Sequence, residues 1–171
     1  TKTISKSVFN CTDVGNNSIL YTLADPSGNT VSTYVSIKVL DTLAPINKTR
    51  SASVYLNKNG VAQLGIFDVD NGSSDNCNIS TYSLNKDRFY CNELGVNSIN
   101  FKTLDPSGNT TVTPVTINVL DTIKPIIKVV NRDVFLDKNG QYSITPAYFD
   151  DGSYDNCGIK TKVLSQSSFN C

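Results

Sequence analysis

Histidine and methionine are absent from the 171 residues, and neither sign of charge is in excess, with Lys plus Arg and Asp plus Glu at 15 each. Without histidine the commonest general base is missing. Catalysis would have to rest on paired carboxylates, as in glycoside hydrolysis. The acidic residues recur at a fixed interval, however, and an array seldom needs an active site in every unit. The chain is read as non-enzymatic. Without methionine, Thr1 is not a translation start, so a processed product or a window on a longer protein is expected. The charge balance argues against a nucleic-acid footprint. No apolar run is long enough to span a bilayer and no signal peptide is recognisable, so no membrane insertion is expected of this segment. No stretch keeps a helical period over three turns.

What is present is repetition. Ile66–Cys77 (IFDVDNGSSDNC) returns as Pro146–Cys157 (PAYFDDGSYDNC), an interval of 80 residues. Leu23–Thr30 (LADPSGNT) returns as Thr103–Thr110, Val39–Pro45 (VLDTLAP) as Val119–Pro125, and Leu56–Gly60 (LNKNG) as Leu136–Gly140. FNC at Phe9–Cys11 returns as FYC at Phe89–Cys91 and as FNC at Phe169–Cys171. A fixed period of this size marks a repeat array. Residues 1–41 read as the second half of one repeat, 42–121 as a complete one and 122–171 as the first part of the next. Eighty residues bury only a marginal core, so covalent staples or stacked neighbours are expected.

Five cysteines is an odd count, which the period accounts for. Cys77 and Cys91 lie 14 apart, as do Cys157 and Cys171. The spacing predicts disulfides Cys77–Cys91 and Cys157–Cys171, with Cys11 left over. Such pairs imply an oxidising compartment. The alternative, zinc, is poorer, because two cysteines per repeat and no histidine cannot fill a four-ligand site.

The middle repeat reads as short strands. Ser51–Leu56 alternates through Ala52, Val54 and Leu56. Asn57–Gly60 is a hairpin-type turn, and Val61–Ile66 continues the alternation. Ile79–Leu84 and Arg88–Cys91 follow. Asn97–Leu104 leads through the tight turn Asp105–Asn109 into Thr110–Leu120, with Val115, Ile117 and Val119 facing in. Pro114 inside that last strand predicts an edge or a bulge. The class is all-β, and six or seven such strands suit an immunoglobulin-like antiparallel sandwich.

DNGSSDNC, FxC, LGxNS, DPSGNT and DTxxP, in this order and at constant spacing, resemble the immunoglobulin-like repeats related to the hyalin repeat. Such repeats occur in giant cell-surface adhesins of gliding Bacteroidota, the SprB type among them. Related repeats often carry a further cysteine near positions 31 and 111, where this chain has Val31 and Thr111. The resemblance implies an extracellular, cell-surface structural segment of a long adhesin filament that mediates attachment and gliding motility. Its partners would be neighbouring repeats of the same chain and a polysaccharide or other surface ligand. Alternatives are a carbohydrate-binding module, with Tyr82, Tyr90 and Tyr154 on one face, and an accessory domain of a secreted enzyme.

The acidic loop invites calcium. Asp70, Ser73 and Asp75 offer hard oxygen ligands, and Asp150, Asp151 and Asp155 return one repeat on. In a seven-strand sandwich Asp70, Asp75, Asp105 and the linker residue Asp41 converge at one end, with Asp121 the next repeat's counterpart of Asp41. In a six-strand sandwich Asp105 moves to the other end. The competing reading is that these residues only form turns, their side chains bonding nearby N–H groups. Asp-Thr-aliphatic at Asp41–Leu43 and Asp121–Ile123 resembles the O-glycosylation acceptor of exported Bacteroidota proteins, making Thr42 and Thr122 candidate glycan sites. Asn-x-Ser/Thr at Asn47, Asn71 and Asn109 is set aside as a feature of an Asn-rich sequence.

Overall fold

The computed structural model describes residues 1–170. It is an all-β sandwich with two single-turn α-helices, and among the described residues no helix is long and apolar enough to cross a membrane. The chain gathers into two compact units. The first draws on residues 1–50, 66–86 and 99–115, the second on 51–65, 87–98 and 116 onward.

In the first unit, β1 (Lys2–Ile4), β2 (Gly15–Ala24) and β3 (Thr30–Val39) form an antiparallel sheet in that order. In the second, β4 (Ala52–Tyr55) lies parallel to the end of β9 (Thr110–Leu120), Ala52 opposite Ile117. There too β5 (Val61–Gln63) pairs with β7 (Arg88–Tyr90). β6 (Thr81–Leu84) pairs with β8 (Gly95–Leu104) in the first unit. The larger sheet runs β4–β9–β8–β6. The β6–β8–β9 succession is that of strands C, F and G, and the β5–β7 pair that of strands B and E, in an immunoglobulin-like sandwich. Residues 42–121 carry these six strands, and isolated bridges pair Ile46 with Ser74 and Thr49 with Asp70.

Register repeats with the sequence. Lys2 faces Leu23 as Tyr82 faces Thr103, and Val61 faces Tyr90 as Gln141 in β10 (Gln141–Ser143) faces Asn170 in β11 (Ser168–Asn170). Alternation chooses the buried face. Val115, Ile117 and Val119 are buried from β9, Ile99, Phe101 and Thr103 from β8, and Ala62 and Phe89 from β5 and β7. Side chains of a strand point alternately to either face, so every second residue reaches the core. Pro114 lies before the part of β9 that β4 covers, which is where a residue without an N–H is tolerated.

Two expectations are corrected. The run expected to continue as a strand to Ile66 ends at Gln63, and Ile66–Val69 is a single helical turn, α1. Arg50 holds that turn by donating from Nε to the Asp68 carbonyl (2.9 Å) and from Nη2 to the Phe67 carbonyl (2.6 Å). Pro146–Phe149 repeats it as α2, with proline at a helix start where its missing N–H costs nothing.

The second correction concerns the cysteines. Cys77 bonds Cys11, not Cys91, and Cys91 bonds Cys157, each pair 66 residues apart. The expected partner of Cys157, Cys171, lies outside the described residues. The physical reason is that a 14-residue and a 66-residue spacing add to one period, so either pairing repeats equally well. In the fold, the end of β7 hands Cys91 to the Asn57–Gly60 turn, beside Asn156 of the following period.

Candidate functional site

The loop motif Asp-Asn-Cys assembles a junction, each residue with its own task. Asp75 Oδ2 accepts the Cys77 N–H (2.7 Å), a side-chain turn that fixes the loop. Asn76 Nδ2 donates to Asp41 Oδ1 (3.1 Å) in the segment that follows β3. Cys77 closes the disulfide to Cys11. One period on, Cys157 N–H donates to Asp155 Oδ2 (2.9 Å), Asn156 Nδ2 to Asp121 Oδ1 (3.1 Å), and Cys157 bonds Cys91. Two disulfides belong to a chain that folds in an oxidising compartment, extracellular or secreted.

The tight turn after β8 meets the first of these junctions. Asp105 is only 2% exposed. Its Oδ1 accepts the Asn109 N–H (2.7 Å) and its Oδ2 the Asn109 amide (2.8 Å). That same amide donates to the Asp41 carbonyl (3.1 Å), which ties the turn to the linker. Burial pushes the Asp105 carboxyl up, but the Asn109 side chain and the N–H groups of Asn109, Gly108 and Ser107 outweigh it, and the pKa falls below the ordinary value. Asp105 is thus ionised at neutral pH.

Asp41, Asp75 and Asp105 each bring one carboxylate oxygen within 4.8 Å of the others. These are three of the expected ligands. The oxygens Asp41 Oδ2, Asp75 Oδ1 and, in the next period, Asp155 Oδ1 are shut off from solvent with no hydrogen-bond partner among the described residues.

The other expected ligands lie apart from this trio and serve turns. Asp70 Oδ1 accepts the Ser73 hydroxyl (2.6 Å) and N–H (3.1 Å), while Ser73 Oγ accepts the Lys48 N–H (3.0 Å). Asp150 Oδ1 accepts the Ser153 N–H (3.2 Å), and Oδ2 adds a 2.6 Å ion pair with Lys162, which holds its pKa down at about 2. Asp151 is exposed, its N–H donating to the Lys128 carbonyl (2.9 Å). Thr42 and Thr122 are exposed, next to aspartates whose Oδ1 accepts the N–H of Leu43 and Ile123. Tyr82 is half-buried with its ring 6.1 Å from Phe101.

Sequence reasoning missed Asn47. Its amide donates to Thr113 Oγ1 (3.1 Å), the Thr111 carbonyl (3.3 Å) and the Phe101 carbonyl (3.4 Å), and its Oδ1 accepts from Thr103 Oγ1 (2.7 Å). The clue available was a departure from the repeat, since position 127 is Ile.

No family model matches the chain. It is 30% identical over 156 residues to a curated relative, hyalin of Strongylocentrotus purpuratus, an alignment covering 85% of this chain. The likeness is to a hyalin-repeat-like domain, and the chain spans 13% of the length of that relative.

Proposed function

We propose that the chain is a segment of a long extracellular filament that serves adhesion, a structural array in which each period is stapled to the next. The observation that carries this reading is the pair of disulfides, which join residues of successive periods, not residues of one. A staple of this kind changes how tension travels. Cys11–Cys77 and Cys91–Cys157 each shield a 66-residue span from load. Between them only the 14 residues from Cys77 to Cys91 bear it. An extended chain spans about 3.5 Å per residue, so an unfolding period releases about 50 Å instead of about 280 Å. Small inextensible units suit a tether that must hold against shear. Similarity to hyalin and the oxidising compartment support an adhesive role without catalysis.

The narrower form, a cell-surface adhesin of gliding Bacteroidota, rests on the resemblance of the motifs. Thr42 and Thr122 are glycan acceptors in that form, their exposure allowing it. Unmodified linker peptides from the native host would remove that part.

Stretching single molecules of a tandem array tests the filament reading. Oxidised arrays should lengthen in steps of about 50 Å per period and reduced arrays in steps of about 280 Å. Full-length steps under oxidising conditions would overturn it. Antibody to this segment should also label intact source cells and block their attachment.

A further inference from the structure

We propose that Asp41, Asp75 and Asp105 bind a calcium ion where two periods of the chain meet. Proximity alone would not carry this, because carboxylates gather at many turns. The second observation is the state of the oxygens. Asp41 Oδ2 and Asp75 Oδ1 are shut off from solvent and without a donor among the described residues. Burying a carboxylate oxygen unpaired is costly, and a second carboxylate beside it raises the cost. A cation removes both penalties.

The partnered oxygens say the same thing differently. The Cys77 N–H holds Asp75 Oδ2 (2.7 Å), and Asn76 Nδ2 (3.1 Å) with the Leu43 N–H (3.3 Å) holds Asp41 Oδ1. Each side chain is therefore fixed by one oxygen and leaves the other unspent. Asp105 is fixed by Asn109 and almost wholly buried. The next period repeats the pattern as far as the chain carries it. Asp155 Oδ2 is held by the Cys157 N–H, while Asp155 Oδ1 is buried and unpartnered.

The donor set selects the ion. Three carboxylates are hard anionic ligands, the chain has no histidine, and the neighbouring sulfurs are tied in a disulfide. That excludes the soft and borderline metals. Calcium accepts six to eight oxygens in irregular geometry and completes its shell with carbonyls and water, whereas magnesium demands a near-ideal octahedron. Loops built by side-chain turns favour the former.

The consequence is mechanical. Asp41 and Asp75 lie within the span closed by Cys11–Cys77, and Asp105 within the span closed by Cys91–Cys157. The ion would join the two spans across the 14 residues that the disulfides leave unshielded. The site itself stands whether or not the chain is part of an adhesive filament.

Calorimetric titration of the whole chain with Ca²⁺, and its melting temperature in Ca²⁺ and in chelator, test the proposal. One ion per chain, a raised melting temperature and weaker binding of Mg²⁺ are expected. Asp41→Asn and Asp75→Asn should each weaken binding about tenfold or more, since ligand charge sets affinity. Both variants keep an acceptor oxygen for the N–H now bound, so both should fold. Should one not, the other and the wild-type titration decide. Absence of binding at millimolar Ca²⁺, or affinity unchanged in a folded variant, would overturn it.

Discussion

Asn76 and Asp41, 35 residues apart in sequence, meet through a 3.1 Å bond from the Asn76 amide to Asp41 Oδ1, and Asn156 meets Asp121 at the same distance. An asparagine beside a catalogue of aspartates is easily taken for one more turn former. Here it is the donor that neutral chemistry can offer a crowded carboxylate. Asn76→Ala should cost about 1 kcal/mol, below the usual range for a bond to a charged group because Asn76 is exposed. Asn76→Asp should cost more, since it sets an acceptor against an acceptor beside Asp75. In chelator the gap should narrow as salt is added. Urea titrations of the two variants measure it, and an aspartate variant as stable as the alanine one would sink the argument.

Much of this was legible in the residues, for identifiable reasons. Alternation marked Val115, Ile117 and Val119 as core because a strand's side chains have a period of two. The turn Asp105–Asn109 announced itself through Pro, Gly and Asn. The grouping of Asp41, Asp75 and Asp105 was legible only in part, since it was expected of seven strands and with Asp70, whereas residues 42–121 carry six strands and Asp70 lies apart. The disulfide partners were not legible. Cysteine gaps of 66, 14, 66 and 14 repeat under either pairing, and preference for the shorter loop chose wrongly. Nor was the turn Ile66–Val69, since four residues are too few to show a helical period. Asp70 misled because a carboxylate beside serine reads alike as ligand and as turn. Only the position of the Ser73 hydroxyl, 2.6 Å away, separates them.

Gly60 shows how a turn glycine can be required twice over. Its φ of 71° lies in the left-handed region, and a Cβ there would stand 2.7 Å from Cys91 Sγ and 3.0 Å from the Asn156 carbonyl oxygen. The sulfur is tied to Cys157 and cannot swing away. Gly60→Ala should therefore destabilise by about 2 kcal/mol or more, combining backbone strain with the clash. In a Cys91→Ala, Cys157→Ala background the clash with sulfur goes and the strain stays. The loss from Gly60→Ala should then shrink without vanishing, as thermal melts of the four proteins would show. Equal losses in both backgrounds would mean that the disulfide does not constrain the turn.

Asp150 supplies a pH dependence that can be followed at one residue. The Lys162 ammonium at 2.6 Å, then the Ser153 hydroxyl and N–H, lower its pKa from 3.8 to about 2, against a smaller opposing effect of burial. A carboxyl whose folded pKa is depressed stabilises the fold above its unfolded value, and that contribution is lost as pH falls. The window therefore runs from about pH 4 down to about pH 2. Carbon-detected NMR titration should place the Asp150 midpoint near the lower end. Lys162→Ala should move it up toward 3.8, and a midpoint indifferent to Lys162 would dissolve the ion pair.

Asn47 anchors the segment after the linker to the strands that bury Thr103, and truncating it should leave a donor stranded. Thr103 is fully buried, and its hydroxyl donates to Asn47 Oδ1 at 2.7 Å. In return the Asn47 amide serves Thr113 Oγ1 and the Thr111 and Phe101 carbonyls. Asn47→Ala removes the acceptor and keeps the buried hydroxyl, a change that costs about 2 kcal/mol. Thr103→Val alone makes the opposite error, leaving Asn47 Oδ1 without its donor. Together the two changes remove both partners, and replacing both by apolar groups can be nearly neutral. The double variant should be more stable than the sum of the single losses predicts, with a coupling of about 1 kcal/mol, typical of contacting pairs. Asn47→Ile, which installs the residue found at position 127, should behave as Asn47→Ala does or worse, because its branched side chain must occupy the amide's place. Denaturant titration of the set decides the matter. Strict additivity would show that Thr103 finds another acceptor and that Asn47 is not the anchor of this segment.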